Sequence, residues 1–326
     1  MFRLHINDSF EQLEKSIPDE IFFPDTLGGF DVNLQNQYLL TLNNIAQKQN
    51  KVVKVYISYP VDNSIQKFYP NLKLTFESIE DFLKLFNQLH DYKIHPDVNI
   101  KNFVCSFNGT DHVGRQLLVV ALNQFGYFNP AYCSKNFTIT ADQIDGHIVN
   151  YVHERDRFYQ KFFINHNSDN FFENIYSFGH VRFNHAKNIH NLEDKLTQSF
   201  LHIVSESLAT SYYPFVSEKF LYSVVTRGLF LSYAQPGWHN YLENHYGFKK
   251  YSKLFDYKFD TITNPVERLI ELMSMISKFS RLSSDDWQDL YLLEQYTIEY
   301  NYDHYMSNNY LKYIYAINID NIQTIL

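Results

Sequence analysis

Hydrophobic positions along this chain recur at two spacings, and the two alternate. Leu34, Tyr38, Leu39, Leu42 and Ile45 fall on one face of a helix near Asn33–Gln49, inside an otherwise mixed stretch over residues 10–50. Lys51–Tyr59 (KVVKVYISY) is β-branched and aromatic and closes at Pro60, which predicts a strand. Ile79, Phe82, Leu83, Leu85, Phe86 and Leu89 return to helical spacing, over Phe76–His90. Asn102–Phe107 (NFVCSF) predicts a short buried strand. Asn108-Gly109 then leads into a helix from Asp111 to Gln124, with Asp111 as its N-cap and Gly126 as its stop.

The second half follows the same grammar without repeating the sequence. Ser199–Val204 predicts a strand, Ser217–Arg227 a helix ended by Gly228, Leu229–Tyr233 a strand and Pro236-Gly237 a turn. Helices follow at Trp238–Tyr246 and Pro265–Lys278. Ser284–Met306, opened by a Ser-Ser-Asp-Asp signature, predicts one long aromatic helix. Alternation of strand and helix predicts an α/β fold with mostly parallel sheet. Ser168–His190, rich in Asn, Phe and His, suits a connection between lobes. The expected division is residues 1–165, residues 166–290 and a C-terminal helical segment over 291–326, with a crevice between two α/β lobes as the ligand site.

Composition narrows the classes. Aromatic residues make 17% of the 326, nearly all Tyr and Phe, which excludes a disordered chain. Phe82, Phe86, Phe220, Tyr291 and Tyr296 lie at helical or strand spacing and are expected in the core. Two Cys exclude a disulfide scaffold, and Cys105 and Cys133 are expected to be reduced thiols. A net charge of −8 argues against a dedicated nucleic-acid binder, which needs a basic face for phosphate. The longest purely apolar run, Leu117–Leu122, falls far below the roughly 20 residues of a spanning helix. The start, MFRLHINDSF, turns polar within five residues, so no secretory signal, no membrane span and a cytoplasmic location are expected.

The candidate chemistry concentrates in Val204–Gly237. A strand ends in Ser205-Glu206-Ser207, and a helix opens at Ser217-Glu218-Lys219. Free N–H groups in a first helical turn favour an anion, and a Lys there adds a movable charge for a diphosphate. Glu218 beside it would accept from a ribose hydroxyl. A solvated Glu–Lys pair at a helix start is the plain alternative. Arg115, about one turn into the helix after the Asn108-Gly109 turn, could clamp phosphate bidentately. Ser106 and Asn108, at the preceding strand end, could meet the nucleotide or sugar. Asp111 and His112 read as cap or surface groups.

Val204–Gly237 resembles the donor-binding motif of the glycosyltransferase family 10 fucosyltransferases. There a strand ending in Glu-Asn-Ser leads to a Tyr-Val-Thr-Glu-Lys helix start. Here Ser205-Glu206-Ser207 and Phe215-Val216-Ser217-Glu218-Lys219 stand in those places. The resemblance implies that Glu218 holds the donor ribose and Lys219 the pyrophosphate. Asn102–Asn136 is similar to the strand, turn and Arg-bearing helix that precede that motif, which implies phosphate contact by Arg115. Gly247-Phe248-Lys249, Phe259-Asp260 and Arg268 match a wider pattern in uncharacterised bacterial and viral glycosyltransferase-like proteins, and are read as architectural. The likeness spans about Asn102–Lys278.

From this resemblance follow two Rossmann-like lobes of the GT-B type, a nucleotide-sugar donor (GDP-fucose first), and inversion at the anomeric carbon. The chain has no Asp-X-Asp, and its 14 His show no HxxxH or HExxH spacing, so neither a metal nor another cofactor is expected. Lys219, Arg115 and a helix terminus would neutralise the leaving diphosphate instead. A catalytic base for the acceptor hydroxyl is sought among Asp62, just past a strand, and Asp25 in FPDTLGG. Glu154 and Asp156 read as an ion-paired helix face. The acceptor is a glycan or another hydroxyl compound. Two alternatives stand beside this reading: a viral enzyme that sugars a modified DNA base, which the charge disfavours, and a non-catalytic sugar- or partner-binding protein on the same scaffold.

Overall fold

In the computed structural model the described residues are 2–4, 9–23, 32–57, 66–76, 86–92, 99–140, 171–179, 181, 184–206, 209 and 216–313. The chain divides into two compact units. The first comprises Met1–Lys84 with Thr210–Phe215, and the second Leu85–Ala209 with Val216–Leu326.

The first unit holds β1 (Phe2–Arg3), α1 (Glu11–Lys15), β2 (Glu20–Phe23), α2 (Val32–Lys48), β3 (Val53–Ile57) and β4 (Leu72–Phe76). Its four strands pair in parallel in the order β1-β2-β3-β4. The α2 stripe read from the sequence is buried at Tyr38, Leu39, Leu42 and Ile45, and Val53 and Val55 of β3 are fully buried. Gln49, one residue past α2, ties the α1 end down: its Oε1 accepts the Ile17 N–H at 2.8 Å and its Nε2 donates to the Leu13 carbonyl at 2.8 Å. The helix expected over Phe76–His90 begins too early, because Phe76 is the last residue of β4. Residues 77–85 lie outside the described residues, Phe82 among them.

The second unit is built on β5 (Asn102–Asn108), β6 (Cys133–Lys135), β7 (Ser199–Ser205) and β8 (Phe230–Tyr233), again all parallel, in the order β6-β5-β7-β8. Every residue of β7 is buried, as a parallel strand covered on both faces requires, which is why SFLHIVS reads as a run and does not alternate. Between the strands lie α3 (Val113–Gln124), α4 (His185–Thr197) and α5 (Leu221–Val225). After β8 come α6 (Trp238–Tyr246), α7 (Pro265–Ser277), α8 (Ser284–Leu293) and α9 (Gln295–Met306). The aromatic excess is largely core: Phe220 meets Phe86, Phe230, Trp238 and Phe248 with ring centroids 5.0–5.9 Å apart. Phe86, Phe220 and Tyr291 are buried as expected, whereas Tyr296 is 71% exposed. Cys105 and Cys133 are free and buried.

Several expectations are corrected here. β5, assigned to the first lobe, is hydrogen-bonded to β7, assigned to the second, so a division at 165/166 runs through one sheet. Ser168–His190 is not a connection between lobes. Tyr176 bridges Lys135 at the end of β6, and His185 opens α4, which packs on β7. Asp111 does not cap α3; His112 takes the N-cap position, and Asp111 accepts from the Gln116 side chain. Ser284–Met306 is two helices, because Glu294 is buried at the break, where its carboxylate accepts the Lys253 N–H at 2.6 Å and the Thr297 hydroxyl at 2.9 Å. The helix expected over Ser217–Arg227 is a three-residue 3-10 turn, Glu218–Phe220, followed by the five-residue α5. Among the described residues no helix is long and apolar enough to cross a membrane.

Candidate functional site

The order β6-β5-β7-β8 makes the chain turn back between β5 and β7: it leaves β5 toward β6 on one side and returns to β7 on the other. The carboxyl ends of such a strand pair splay their following loops apart and leave room for a ligand. Asn108 closes β5, and Ser205-Glu206 closes β7. The segment after β5 leads into α3, which carries Arg115. Gly114 lets α3 come in close, since a Cβ there would lie 2.7 Å from the Ala209 Cβ.

Around this edge the sequence candidates of the second unit come together. Glu206 is fully buried; its Oε1 accepts the Ser217 N–H at 2.9 Å, and its Oε2 lies 4.0 Å from Lys219 Nζ. Lys219 Nζ is also 3.7 Å from Glu218 Oε1 and donates to Ser217 Oγ at 3.0 Å. Ser217 caps the 3-10 turn by accepting the Lys219 N–H. One lysine, partly exposed at 23% of its side chain, therefore serves two buried carboxylates. Arg115 is buried, and its Nη1 donates to the carbonyl and hydroxyl of Thr110. Burial pulls its guanidinium down to about 10, opposed by the negative fields of Glu206 and then Glu218.

The two carboxylates are displaced in opposite directions. Burial pushes Glu206 above the usual carboxylate range, with Lys219 and the Ser217 N–H opposing. Burial acts the same way on Glu218, but Lys219, His185, its backbone and Arg115 together outweigh it and hold it below that range. His185 is a site residue that periodicity passed over. Its Nε2 lies 3.4 Å from Glu218 Oε1 and its Nδ1 is 2.6 Å from the Tyr222 hydroxyl. Its only sequence signal was membership in the series His180, His185, His190, which has no metal spacing. His112, read as a cap or surface group, also belongs here: burial, Arg115 and Lys219 pull it down to about 4, so it is neutral at neutral pH.

Ser106 and Asn108 sit at the same edge as a bonded pair. Ser106 Oγ donates to the Ile203 carbonyl at 2.8 Å, and Asn108 Nδ2 donates to Ser106 Oγ at 3.1 Å and to the Ser134 carbonyl at 3.2 Å. Ser106 is thereby committed to the sheet. Asn108 Oδ1, Ser205 Oγ and Glu206 Oε2 are buried and make no hydrogen bond within the protein, which leaves acceptors for hydroxyl or N–H donors of a ligand. Arg268 is architectural as expected: all its bonds go to backbone carbonyls, of Ala209, Ala234, Ile262 and Thr263. Asp260 likewise holds His239, accepting from its Nδ1 at 2.8 Å. Asp25, Asp62, Ser207 and Phe215 lie outside the described residues, as do Glu154 and Asp156.

Fold and site together define an α/β protein with parallel sheets, compatible with a Rossmann-like fold, carrying a charged polar cluster where strand order reverses. Compared with family models, with curated proteins and with solved structures, the chain matches none. Among the described residues no group of three or more His, Cys, Asp or Glu is placed to hold a metal ion.

Proposed function

We propose that this chain is a metal-independent, inverting glycosyltransferase of the two-lobed GT-B type that uses a nucleotide-diphosphate sugar, with GDP-fucose as the first donor to try. The observation that carries the reading is the meeting of Arg115, Lys219, Glu206 and Glu218 at the carboxyl ends of β5 and β7. That edge is where open parallel sheets receive nucleotides. Lys219 is the cation of the cluster with access to solvent, and it sits on a flexible stem suited to following a diphosphate as charge develops on it.

In this mechanism the acceptor hydroxyl oxygen attacks the anomeric carbon while the bond from that carbon to the diphosphate breaks. The electron pair leaves with the diphosphate, where Lys219 and Arg115 stabilise it, and the hydroxyl proton passes to a carboxylate. Asp62 and Asp25 are the proposed bases. Glu218, held below the usual range, stays ionised and accepts from the ribose hydroxyls. Asn108 Oδ1 offers a further acceptor for the nucleoside or sugar.

The test is calorimetric titration of GDP-, UDP- and other sugar nucleotides into wild type and Lys219→Ala. One donor is expected to bind, and loss of a charge-assisted contact of about 1.5–3 kcal/mol is expected to weaken it by ten- to a hundredfold. No binding by any donor, or equal binding by the two proteins, sinks the proposal. The binding-protein reading draws on the internal balance of the cluster, two cations against two carboxylates. Donor hydrolysis without acceptor, abolished in Glu218→Ala, separates the enzyme from it. Affinity for DNA that falls steeply with salt would favour the DNA-modifying reading.

A further inference from the structure

We infer that an anion engaging Lys219 is bound together with a proton, and that Glu206 is the group that receives it. The inference rests on the proposed role of Lys219 as the diphosphate contact.

The geometry of the shared lysine carries the argument. Glu206 Oε1 is occupied by the Ser217 N–H, while Oε2 is buried, accepts no hydrogen bond, and has Lys219 Nζ at 4.0 Å as its nearest ion-pair partner. The same ammonium group lies 3.7 Å from Glu218. A diphosphate oxygen that draws Lys219 Nζ outward therefore weakens the neutralisation of both carboxylates and adds negative charge of its own. Glu218 keeps His185 at 3.4 Å as a second partner. Among the described residues Glu206 has no second ion-pair partner within 4.0 Å, although its charge is the foremost one acting on Arg115. Arg115 faces it from α3, but the Nη1 of Arg115 is turned to Thr110.

The other groups around Glu206 do not relieve it. Glu218 adds like charge from the 3-10 turn, and Tyr246, on α6, is held in its neutral form by burial. His112 faces Lys219 and Arg115, and burial, then Arg115 and Lys219, hold it neutral. Burial already works against the ionised form of Glu206, and Lys219 is the largest opposing influence. Once protonated, Glu206 Oε2 becomes an O–H donor pointing into a site that has just received an acceptor-rich ligand, so its orphaned atom gains a partner of the right polarity.

The experiment is calorimetry on the full chain with GDP-fucose, and UDP-glucose in parallel, neither of whose phosphate groups titrates near neutral pH. Titrations at one pH in two buffers of different ionisation enthalpy read the protons exchanged. Uptake approaching one proton per ligand is expected, with affinity strengthening by up to about tenfold per pH unit lowered. Glu206→Gln keeps an oxygen for the Ser217 N–H and is expected to abolish the uptake and flatten the pH dependence. Binding to wild type without proton exchange overturns this inference and leaves the proposed function standing. Uptake that persists in Glu206→Gln assigns the proton to His112 or His185 and overturns it as well. Failure of both sugar nucleotides to bind overturns the inference along with the role of Lys219. The wild-type measurement decides the first point even if the variant does not fold.

Discussion

Glu206 and Glu218 carry the same side chain, are both buried and share one lysine, yet one is held above and the other below the usual carboxylate range. At Glu206 burial prevails over Lys219 and the Ser217 hydrogen bonds. At Glu218, Lys219, His185, the local backbone and Arg115 together outweigh burial. The His185 ring lies 3.4 Å from Glu218 and is itself held by Tyr222. Tyr222→Phe, which deletes that buried hydrogen bond, is expected to destabilise the fold by about 1 kcal/mol in urea unfolding. It is also expected to weaken donor binding, because His185 is then freer to rotate away from Glu218. Unchanged stability and unchanged donor affinity would show that the ring needs no such support. Ser217 is a second single-residue lever, since its hydroxyl meets both the backbone N–H and the Nζ of Lys219. Ser217→Ala should cost about 1 kcal/mol as a lost cap, and Ser217→Thr should restore most of it. Lys219 was legible as a site residue because a Glu-Lys pair after a strand and loop is a local pattern. His185 was not, because its partner Glu218 is distant in sequence and no spacing rule links them.

At the scale of elements, the contacts that shape the site depend on close backbone approach. Gly114→Ala would drive a Cβ to 2.7 Å from Ala209 and push α3 away from the segment after β7. A loss of about 1–3 kcal/mol is expected in thermal unfolding, with a matching loss of donor affinity as Arg115 moves with its helix. Retained melting temperature and affinity would mean that the helix end has slack. The break between α8 and α9 has an equally specific cause. Continuous helical spacing over Ser284–Met306 hid it, since Glu is a good helix former and only its tertiary partners, the Lys253 N–H and the Thr297 hydroxyl, turn the buried Glu294 into a joint. The end of α5 shows the same limit: Gly228 reads as the stop, but the left-handed residue is Arg227, at φ 53°, held by Glu299 at 3.0 Å and by the face of Tyr302. Propensity points to glycine for that conformation, and tertiary contacts assign it to arginine.

For the whole molecule, two neutral histidines, one buried and one half-buried, set a direction for acid stability. His202 lies in the second sheet with burial lowering it to about 3, and His112 is lowered to about 4. A group lowered in the folded state contributes stability that is present above its unfolded value, near 6.5, and is lost as pH falls toward the folded value. Urea midpoints should therefore decline from about pH 6.5 to pH 4, by up to about 1.4 kcal/mol per pH unit for the fully buried His202 and by less for the half-buried His112, which solvent screens. A flat profile across that window would contradict the burial of His202. Glu206 works against this trend, since a raised carboxylate is relieved by acid, while Glu218 adds to it. The same burial explains what the chain determined by itself and what it did not. Apolar runs such as SFLHIVS and the 3.6-residue stripe of α2 are set by local composition, so strands, helices and an α/β class with parallel sheets could be read directly. Strand order could not. β5 and β7 are buried runs that would read the same at an edge or at a centre, and their pairing joins residues 97 apart, as between Ser106 and Ile203. That pairing placed the unit boundary near Lys84 and moved Arg115 and Lys219 from opposite lobes to one sheet edge. Local sequence carries the periodicity of an element, whereas adjacency arises only when long-range burial chooses between equally apolar partners.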